Sequence, residues 1–279
     1  MRENEAQAEE RGTSGPDVAD LPSSTPSSSR TSSLLLAVSG SNDSQIELYH
    51  LPDEKKVAVI PAPEQVNTKT GMVMALKVFI TEENGLYVIA GYESGRTYVF
   101  KGNHEQDQWE PIYTACPHSQ PILSLDISPL FDYYCTSSAD AVIAKHSLLH
   151  EADQQRPMKE FQTRHSGQQG LKIRSDGKIY ATAGWDSKAR VYSAKTMKEL
   201  AVLKWHKEGC YAIAFGEVGP AKGDEDGIAP KGPPSTAVTI RQSDSLQSTV
   251  GQARLERTQN THWLAVGSKD GKVSLWDIY

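Results

Sequence analysis

A short pattern of alternating apolar and polar positions recurs along the chain. Its clearest copy covers residues 179–192, where Ile179, Ala181 and Ala183 alternate with other side chains before a polar turn and a second apolar run. Alternation with a period of two is typical of a β-strand with one face buried, and two such runs joined by a short turn indicate a hairpin. The pattern therefore predicts a β-hairpin with Asp186 in its turn.

Four further copies of this hairpin occur in the sequence. The turn residues of the five copies are Asp43, Ser94, Asp140, Asp186 and Asp270, and a residue with a ring side chain follows each of them after six positions. Successive turn residues lie roughly 50 residues apart once the polar stretch 218–260 is removed, and strand-rich repeats of roughly 40 to 50 residues are typical of propeller blades. The chain is therefore predicted to be a repeat protein.

Strand-like runs on both sides of the hairpins complete units of four strands. The runs that we predict to be first strands are 72–79, 121–128, 170–174 and 210–216, and the predicted last strands are 56–60, 109–114 and 200–205. We expect almost no helix. The predicted first strands are the most apolar, as we expect of strands that neighbouring units cover on both faces. The pattern predicts an all-β fold of repeated sheets.

Two long stretches lack the alternating pattern. Residues 1–33 are rich in Glu, Ser, Thr and Pro, and residues 218–260 are rich in Gly, Pro, Ser and Gln. Such stretches bury too little apolar surface to offset the entropy cost of ordering, so we expect both to be disordered. The predicted organisation is a tail over 1–33 and a repeat domain over 34–279, with 218–260 as an insert between the first two strands of the last unit.

Charge and cysteine content argue against several functional classes. A formal net charge of −6 disfavours a positive face that binds nucleic-acid phosphates. Cys116, Cys135 and Cys210 are odd in number and widely spaced, which indicates free thiols in a reducing compartment. No apolar run approaches the ~20 residues of a membrane span, and no secretory signal is recognisable. We expect an intracellular protein without direct nucleic-acid or membrane binding.

The sequence does not indicate a catalytic or metal site. His146 and His150 would lie ~13 Å apart on a strand, which is too far to share one metal ion. Residues 267–273 resemble a phosphate-binding loop, but Val273 stands where a magnesium-binding hydroxyl is required. Nucleophile-elbow and zinc-protease motifs are absent from the sequence. We predict a protein that is not an enzyme and has no cofactor.

The last hairpin, residues 266–277, reads VGSKDGKVSLWD and resembles the end of a WD40 repeat. Histidines also precede predicted first strands, where such repeats place a His. The resemblance implies a hydrogen-bonded network within each unit that joins this His to a strand hydroxyl, the turn Asp and a Trp. The residues that it assigns are His118, Thr136 and Asp140 in the third unit, His165, Thr182 and Asp186 in the fourth, and His206, Asp270 and Trp276 in the fifth.

Some units depart from the WD40 pattern. His146 and Tyr192 stand in the place of the Trp in the third and fourth units, Val266 replaces the hydroxyl in the fifth, and Ser94 replaces the Asp in the second. We expect the departing units to depend more on packing than on polar contacts.

Longer stretches resemble one family. Residues 167–206 and 261–277, with 70–76 and 90–96, resemble the fungal ASTRA-associated WD-repeat proteins and their metazoan relatives, the G-protein-β-like WD proteins. The resemblance implies a WD40 β-propeller with about five of seven expected blades present and the missing blades at the N-terminus. An arc of this kind would have exposed edges.

The same resemblance implies a function. It indicates a non-catalytic scaffold subunit of the ASTRA assembly, with the Tel-two and Tti co-chaperones and AAA ATPases as partners. Its roles would be chromatin remodelling and the maturation of phosphatidylinositol-kinase-like kinases, in the nucleus or also in the cytoplasm. A G-protein-β-like signalling scaffold is an alternative, although the N-terminal segment lacks the heptads of a coiled coil. A propeller enzyme is a second alternative, and it would need convergent acid and base groups.

Trp185 is the leading candidate for contact with a partner. It precedes the turn residue of its hairpin, so it should project from the same face as the corresponding residues of the other units. A few aromatic and basic residues carry most of the affinity in many interfaces. The candidate surface comprises Trp185, Tyr92, Lys188, Lys269 and Glu93. The alternative is that Trp185 folds back onto the neighbouring unit.

Overall fold

A computed structural model describes residues 34–63, 69–81, 85–103, 108–148, 155–217 and 261–278. The predicted tail 1–33 and the predicted insert 218–260 lie outside the described residues. Within these ranges all regular secondary structure is β, which confirms the prediction of an all-β fold. The described part of the chain contains no helix long and apolar enough to cross a membrane.

The strands form five antiparallel sheets, in each of which neighbouring strands follow chain order. Sheet 1 contains β1 (Leu34–Ser39), β2 (Ile46–Leu51) and β3 (Lys55–Ile60). Sheet 2 contains β4 (Val73–Ile80), β5 (Leu86–Tyr92), β6 (Thr97–Asn103) and β7 (Gln108–Ala115). Sheet 3 contains β8 (Ile122–Ile127), β9 (Tyr133–Ser138), β10 (Val142–Ser147) and β11 (Lys159–Gln162). Sheet 4 contains β12 (Gln168–Ile173), β13 (Ile179–Gly184), β14 (Lys188–Ser193) and β15 (Glu199–Lys204), and sheet 5 contains β16 (Cys210–Phe215), β17 (Trp263–Ser268) and β18 (Val273–Asp277).

The same irregularities recur from sheet to sheet. In sheets 2 to 5, the register between the first and second strands shifts near the start of the first strand. A similar shift occurs between the last two strands of sheets 1, 2 and 4. A bulge bends a strand and increases its twist, so equivalent bulges give successive sheets the same curvature. The five sheets are therefore repeats of one unit, as the hairpin pattern predicts.

Contacts between sheets identify the place of each strand in its unit. β4, β8, β12 and β16 pack in succession, and each of β5, β9 and β13 contacts the first strand of the following sheet. β1 makes the same kind of contact with β4, so it corresponds to a second strand. Sheet 1 therefore contains strands two to four of the unit, whereas sheet 5 contains strands one to three.

The hydrophobic core lies between the sheets. Four clusters of buried side chains each occupy one junction, and each cluster combines residues of two successive sheets. Burial of apolar surface contributes about 25 cal/mol per Å², so each sheet is stabilised mainly by its neighbours.

The second strands are the most buried, and the expectation that neighbouring sheets cover both faces of the first strands holds only in part. Every residue of β5, β9 and β13 is buried, whereas each first strand includes partly or fully exposed residues. A second strand has hydrogen-bonded strands on both sides and a sheet against each face. A first strand lies at the edge of its own sheet, so some of its side chains are exposed to solvent.

The outer faces of sheets 1 and 5 are apolar and exposed. Val273 and Leu275 on β18 are each 64% exposed, and Leu34 and Leu36 on β1 are also exposed. On β18 these residues alternate with partly buried ones, and Trp276 packs against the cluster between sheets 4 and 5. Contiguous apolar surface of this kind is typical of an interface.

The three cysteines are free. Burial raises the pKa of Cys135 to about 12 and the pKa of Cys210 to about 11. Because the thiolate is the reactive form, both residues act as small apolar side chains at neutral pH.

Candidate protein-interaction surface

In sheet 3 the residues assigned to a WD40 network lie within hydrogen-bonding distance of one another. Nδ1 of His118 lies 3.2 Å from Oδ1 of Asp140, and Nε2 of His118 lies 2.8 Å from Oγ1 of Thr136. Oγ1 of Thr136 also lies 3.1 Å from Nε2 of His146. The backbone N–H of Ser119 donates to Oδ2 of Asp140 at 3.0 Å. The loop before β8 is thereby joined to the hairpin of β9 and β10.

The same network continues into sheet 2. Nδ1 of His146 lies 2.9 Å from the hydroxyl of Tyr113, and the ring of His146 stacks on Tyr134 with centroids 4.5 Å apart. The hydroxyl of Tyr134 in turn lies 3.2 Å from Oγ1 of Thr97. Buried polar chains of this kind fix the relative position of the groups that they join. The network therefore stabilises the junction between sheets 2 and 3.

We expect His146 to make the protein less stable as the pH falls from about 6.5 to about 3. Burial lowers the pKa of His146 to about 3, from an ordinary value of 6.5. The unfolded chain binds a proton at His146 in this pH window and the folded chain does not. The free energy of unfolding therefore rises with pH, by up to about 1.4 kcal/mol per pH unit, and this contribution is complete above pH 6.5.

Urea denaturation between pH 4 and pH 7 measures this effect when the wild type is compared with His146→Gln. Other groups titrate in both proteins, so the informative quantity is the difference between the two pH slopes. The variant should show the shallower slope. Equal slopes would contradict the assignment of a neutral, buried imidazole at this position.

Sheet 4 holds its turn carboxylate with a different partner. Asp186 accepts hydrogen bonds from both terminal nitrogens of Arg190, at 3.1 and 2.6 Å, while His165 lies 3.8 Å away. No hydrogen bond joins His165 to Thr182 among the described residues. A guanidinium binds a carboxylate through two parallel hydrogen bonds, so Arg190 takes the place expected for the His. Burial raises the pKa of Asp186, but the hydrogen bonds from Arg190 outweigh this effect and hold that pKa below its ordinary value.

In sheet 5, the hydroxyl of the polar network comes from β18 instead of the expected position on β17. Oγ of Ser274 lies 2.9 Å from Nε2 of His206 and accepts a hydrogen bond from Nε1 of Trp276 at 2.8 Å. Ser274 lies directly across the β17–β18 ladder from Val266, the residue that replaces the expected hydroxyl. Asp270 is paired with Lys272 at 2.8 Å instead of His206. The sequence feature that could have identified Ser274 is its position opposite Val266 in the predicted hairpin.

Among the candidate interaction residues, Tyr92 is not at the surface. Its side chain is 0% exposed and packs edge to face against Tyr98, with ring centroids 5.5 Å apart. Placing Tyr92 in the candidate surface was therefore wrong, because it ends a second strand that is covered on both faces. The next residue, Glu93, is exposed, and its Oε2 accepts the backbone N–H of Met72 at 3.2 Å.

The indole of Trp185 packs against its own sheet and is partly exposed to solvent. It is 46% exposed, and its Nε1 donates to Oε1 of Gln169 at 3.0 Å. The ring covers Gly167, where a Cβ would come within 2.2 Å of it and where φ is +76°. The backbone N–H of Trp185 also donates to the carbonyl of Gly167 at 2.9 Å. Gly167 therefore provides the close approach that fixes the orientation of the ring.

Tyr211 and Lys269 lie beside Trp185, around Gly209. A Cβ at Gly209 would lie 3.1 Å from the ring of Tyr211 and 3.2 Å from the carbonyl oxygen of Trp185. The backbone N–H of Lys269 donates to the carbonyl of Gly209 at 2.9 Å. Tyr211 and Lys269 are both exposed, whereas Lys188 lies 3.5 Å from the carboxylate of Asp186. We call Trp185, Tyr211 and Lys269 the Trp185 surface.

Sequence reasoning missed Tyr211 because it lies in a first strand, where buried residues were expected. The described residues contain no group of three or more His, Cys, Asp or Glu side chains placed to hold a metal ion. The exposed aromatic and basic groups of the Trp185 surface are suited to protein contact.

Comparison with known proteins identifies similar chains. Residues 257–277 match the family described as WD domain, G-beta repeat. ASTRA-associated protein 1 of Aspergillus niger is 47% identical, over 89% of this chain and 62% of its own length. The protein of the same name from Pyricularia oryzae is 34% identical, over 88% of this chain and 68% of its own. The mouse guanine nucleotide-binding protein subunit beta-like protein 1 is 26% identical, over 88% of this chain and 60% of its own. The chain thus spans about three-fifths of the Aspergillus relative.

Proposed function

The chain belongs to the ASTRA-associated protein 1 family of WD-repeat proteins, and on that basis we propose that it is a non-catalytic scaffold for a protein assembly. The observation that carries this proposal is the Trp185 surface. An indole held in one orientation by Gly167 and Gln169, with nearly half of it exposed, is suited to be an interface anchor. Loops held on a rigid framework commonly carry binding functions.

The partners proposed for this scaffold follow from the family. The relatives are named for association with ASTRA, and we propose that this chain is a subunit of that assembly in the nucleus. There it would act with the Tel-two and Tti co-chaperones and AAA ATPases in the maturation of phosphatidylinositol-kinase-like kinases and in chromatin remodelling. The net charge of −6 supports binding through proteins over direct contact with nucleic acid.

A signalling scaffold is the second candidate function. The observation in its favour is the 26% identity to the mouse protein named as a guanine nucleotide-binding protein subunit beta-like protein. The two candidates differ in the proteins that should co-purify with the chain. The fungal relatives have the higher identity, which favours the ASTRA candidate.

We also propose that the five sheets are consecutive blades of a seven-bladed WD40 propeller. The exposed apolar faces of sheets 1 and 5 support this proposal, because a further blade against each face would bury them. The strand composition of these two sheets also supports it, since the described residues include neither a first strand for sheet 1 nor a fourth strand for sheet 5.

Replacing Trp185 by Ala should reduce partner binding while the chain stays folded. The indole is about half buried and makes one side-chain hydrogen bond to a described residue, so its loss should lower the free energy of unfolding by about 2 kcal/mol. An interface anchor contributes about 2 kcal/mol or more to binding, which corresponds to about 30-fold in affinity. Thermal denaturation and recovery of co-purifying proteins measure the two effects separately.

Trp205→Ala is the matched control for this experiment. Trp205 is 55% exposed and follows β15, outside the Trp185 surface, so its loss should leave partner recovery unchanged. Unfolding of the Trp185 variant, or equal loss of partners in both variants, would contradict the assignment of the Trp185 surface.

A further inference from the structure

Four successive first strands carry a row of equivalent residues. Each lies opposite the residue that comes five positions before the turn residue of its hairpin, and they are Lys77 on β4, Asp126 on β8, Lys172 on β12 and Ala214 on β16. Because β4, β8 and β12 pack in succession, equivalent side chains on these strands are neighbours. Three charged side chains therefore lie side by side, in the order lysine, aspartate, lysine.

The two lysines of this row share one carboxylate. Nζ of Lys77 lies 2.8 Å from Oδ1 of Asp126, and Nζ of Lys172 lies 3.6 Å from the same oxygen. The other oxygen, Oδ2, accepts the backbone N–H of Ile173 at 2.9 Å. Within the described ranges neither lysine has an ion pair with a second carboxylate. Asp126 thus neutralises one positive charge where two are present, and Lys77 makes the shorter contact.

This sharing affects the two ammonium groups differently. Burial lowers the pKa of Lys172, and the charge of Lys77 lowers it further, so the attraction of Asp126 does not restore its ordinary value. Burial also acts to lower the pKa of Lys77, but its hydrogen bond with Asp126 outweighs this effect and the pKa is raised. Lys172 is therefore the lysine of the pair that loses its proton more readily.

Lys172 has the properties of a nucleophilic amine. Only the uncharged amine attacks a carbonyl carbon, and desolvation and a neighbouring cation are two ways in which proteins activate a lysine. Lys172 combines both, because it is partly buried and lies beside Lys77. Its side chain is 39% exposed, so a reagent can reach the amine from solvent.

We propose that Lys172 is a site of lysine acylation by thioesters such as acetyl-coenzyme A. The neutral Nζ attacks the carbonyl carbon of the thioester, an N–C bond forms and the C–S bond breaks. The thiolate leaves and takes up the proton that the nitrogen loses, so the products are an amide and a thiol. Acylation removes the charge that Asp126 does not neutralise and keeps the pair of Asp126 with Lys77. The site is independent of the proposed scaffold function.

Acetylation of the purified full chain by acetyl-coenzyme A tests this proposal, with peptide mass spectrometry to measure the rate at each lysine. Lys272 is the internal comparison, because its Nζ lies 2.8 Å from Oδ2 of Asp270 and this contact raises its pKa. The side chain of Lys272 is 62% exposed, so access favours Lys272 whereas charge favours Lys172. At about pH 8 Lys172 should react about fivefold faster, and its rate should level off at a lower pH.

Lys77→Met separates the effect of the shared carboxylate from simple access. Without the Lys77 charge, Asp126 pairs with Lys172 alone, so the pKa of Lys172 should rise and its acetylation should slow about fivefold. If access alone set the rate, the shorter, uncharged neighbour would leave acetylation unchanged or speed it up. Lys77→Arg keeps the positive charge and should retain the wild-type rate.

Lys56→Met is the matched control, because Lys56 also pairs with a carboxylate, that of Glu47 at 2.9 Å, but lies in sheet 1. It should leave the rate at Lys172 unchanged. Three results would overturn the proposal: reaction at Lys172 no faster than at Lys272, an unchanged or faster rate in Lys77→Met, or equal slowing by Lys56→Met. Circular dichroism shows whether each variant is folded, and the wild-type comparison with Lys272 decides the matter if Lys77→Met is not.

Discussion

Replacing Thr136 by Val should lower the free energy of unfolding by about 3 kcal/mol. The hydroxyl of Thr136 is buried and lies within 3.1 Å of a ring nitrogen of both His118 and His146. Valine has the same shape but cannot form hydrogen bonds, so both imidazoles would lose a partner inside the protein. Removing one member of a buried polar network costs more than the mean hydrogen bond, because the groups left behind stay desolvated.

Thr114→Val provides the matched control for this prediction. The hydroxyl of Thr114 is also buried, but it has no hydrogen-bond partner in the described part of the chain. The same chemical change should therefore be neutral or slightly stabilising at this site. Urea denaturation at pH 7 measures both variants, and equal destabilisation by the two would mean that the network contributes nothing specific to stability.

Replacing Gly95 by Ala should cost about 4 kcal/mol of stability. Gly95 has a φ of +80°, and a Cβ at this position would lie 2.2 Å from the carbonyl oxygen of His118. The left-handed conformation costs an L-residue about 1 to 2 kcal/mol, and displacement of a backbone carbonyl adds a clash. The displaced segment carries the His of the sheet 3 network, so that network should also be disturbed.

Gly271→Ala separates the cost of the left-handed backbone conformation from the cost of the steric clash. Gly271 has a φ of +76°, but a Cβ there would meet no atom of the described residues within 4 Å. Its replacement should cost only the conformational part, about 1 kcal/mol. Urea denaturation of both variants gives the cost of the clash as the difference. A difference near zero would contradict the close contact between the turn of sheet 2 and the loop before β8.

The repeated hairpins could be predicted from the sequence because alternation and turn residues are local signals. Hairpin turns occur at the five predicted turn residues, and β13 and β14 match the predicted hairpin 179–192 to within one residue at its end. The fourth strand of sheet 3, β11, was not predicted. Its four residues, KEFQ, are too few and too polar to give an alternating pattern.

The polar contacts were harder to predict, because they depend on which of several suitable groups reaches a given atom. In sheet 4, Arg190 faces Thr182 across the ladder, and its length and planar head let it bind Asp186 twice. In sheet 5, the facing position of Ser274 supplies the hydroxyl. Both positions follow from strand register, which becomes definite only when the hairpin is built.

The candidate surface was predicted in part, for a related reason. Position in the turn places Trp185 and Glu93 correctly at the surface, but Tyr92, one residue earlier, ends a buried strand. Side chains alternate along a strand, but the covering of both faces by neighbouring sheets is not a local property of the sequence. For the same reason the exposure of Tyr211 could not be anticipated.

Affinity purification tests the proposed scaffold function most directly. The tagged chain would be expressed in fungal cells, and the proteins that co-purify with it would be identified. We expect recovery of the Tel-two and Tti co-chaperones together with the AAA ATPases. Recovery of G-protein γ subunits or other signalling proteins without these co-chaperones would contradict the proposed membership of the ASTRA assembly.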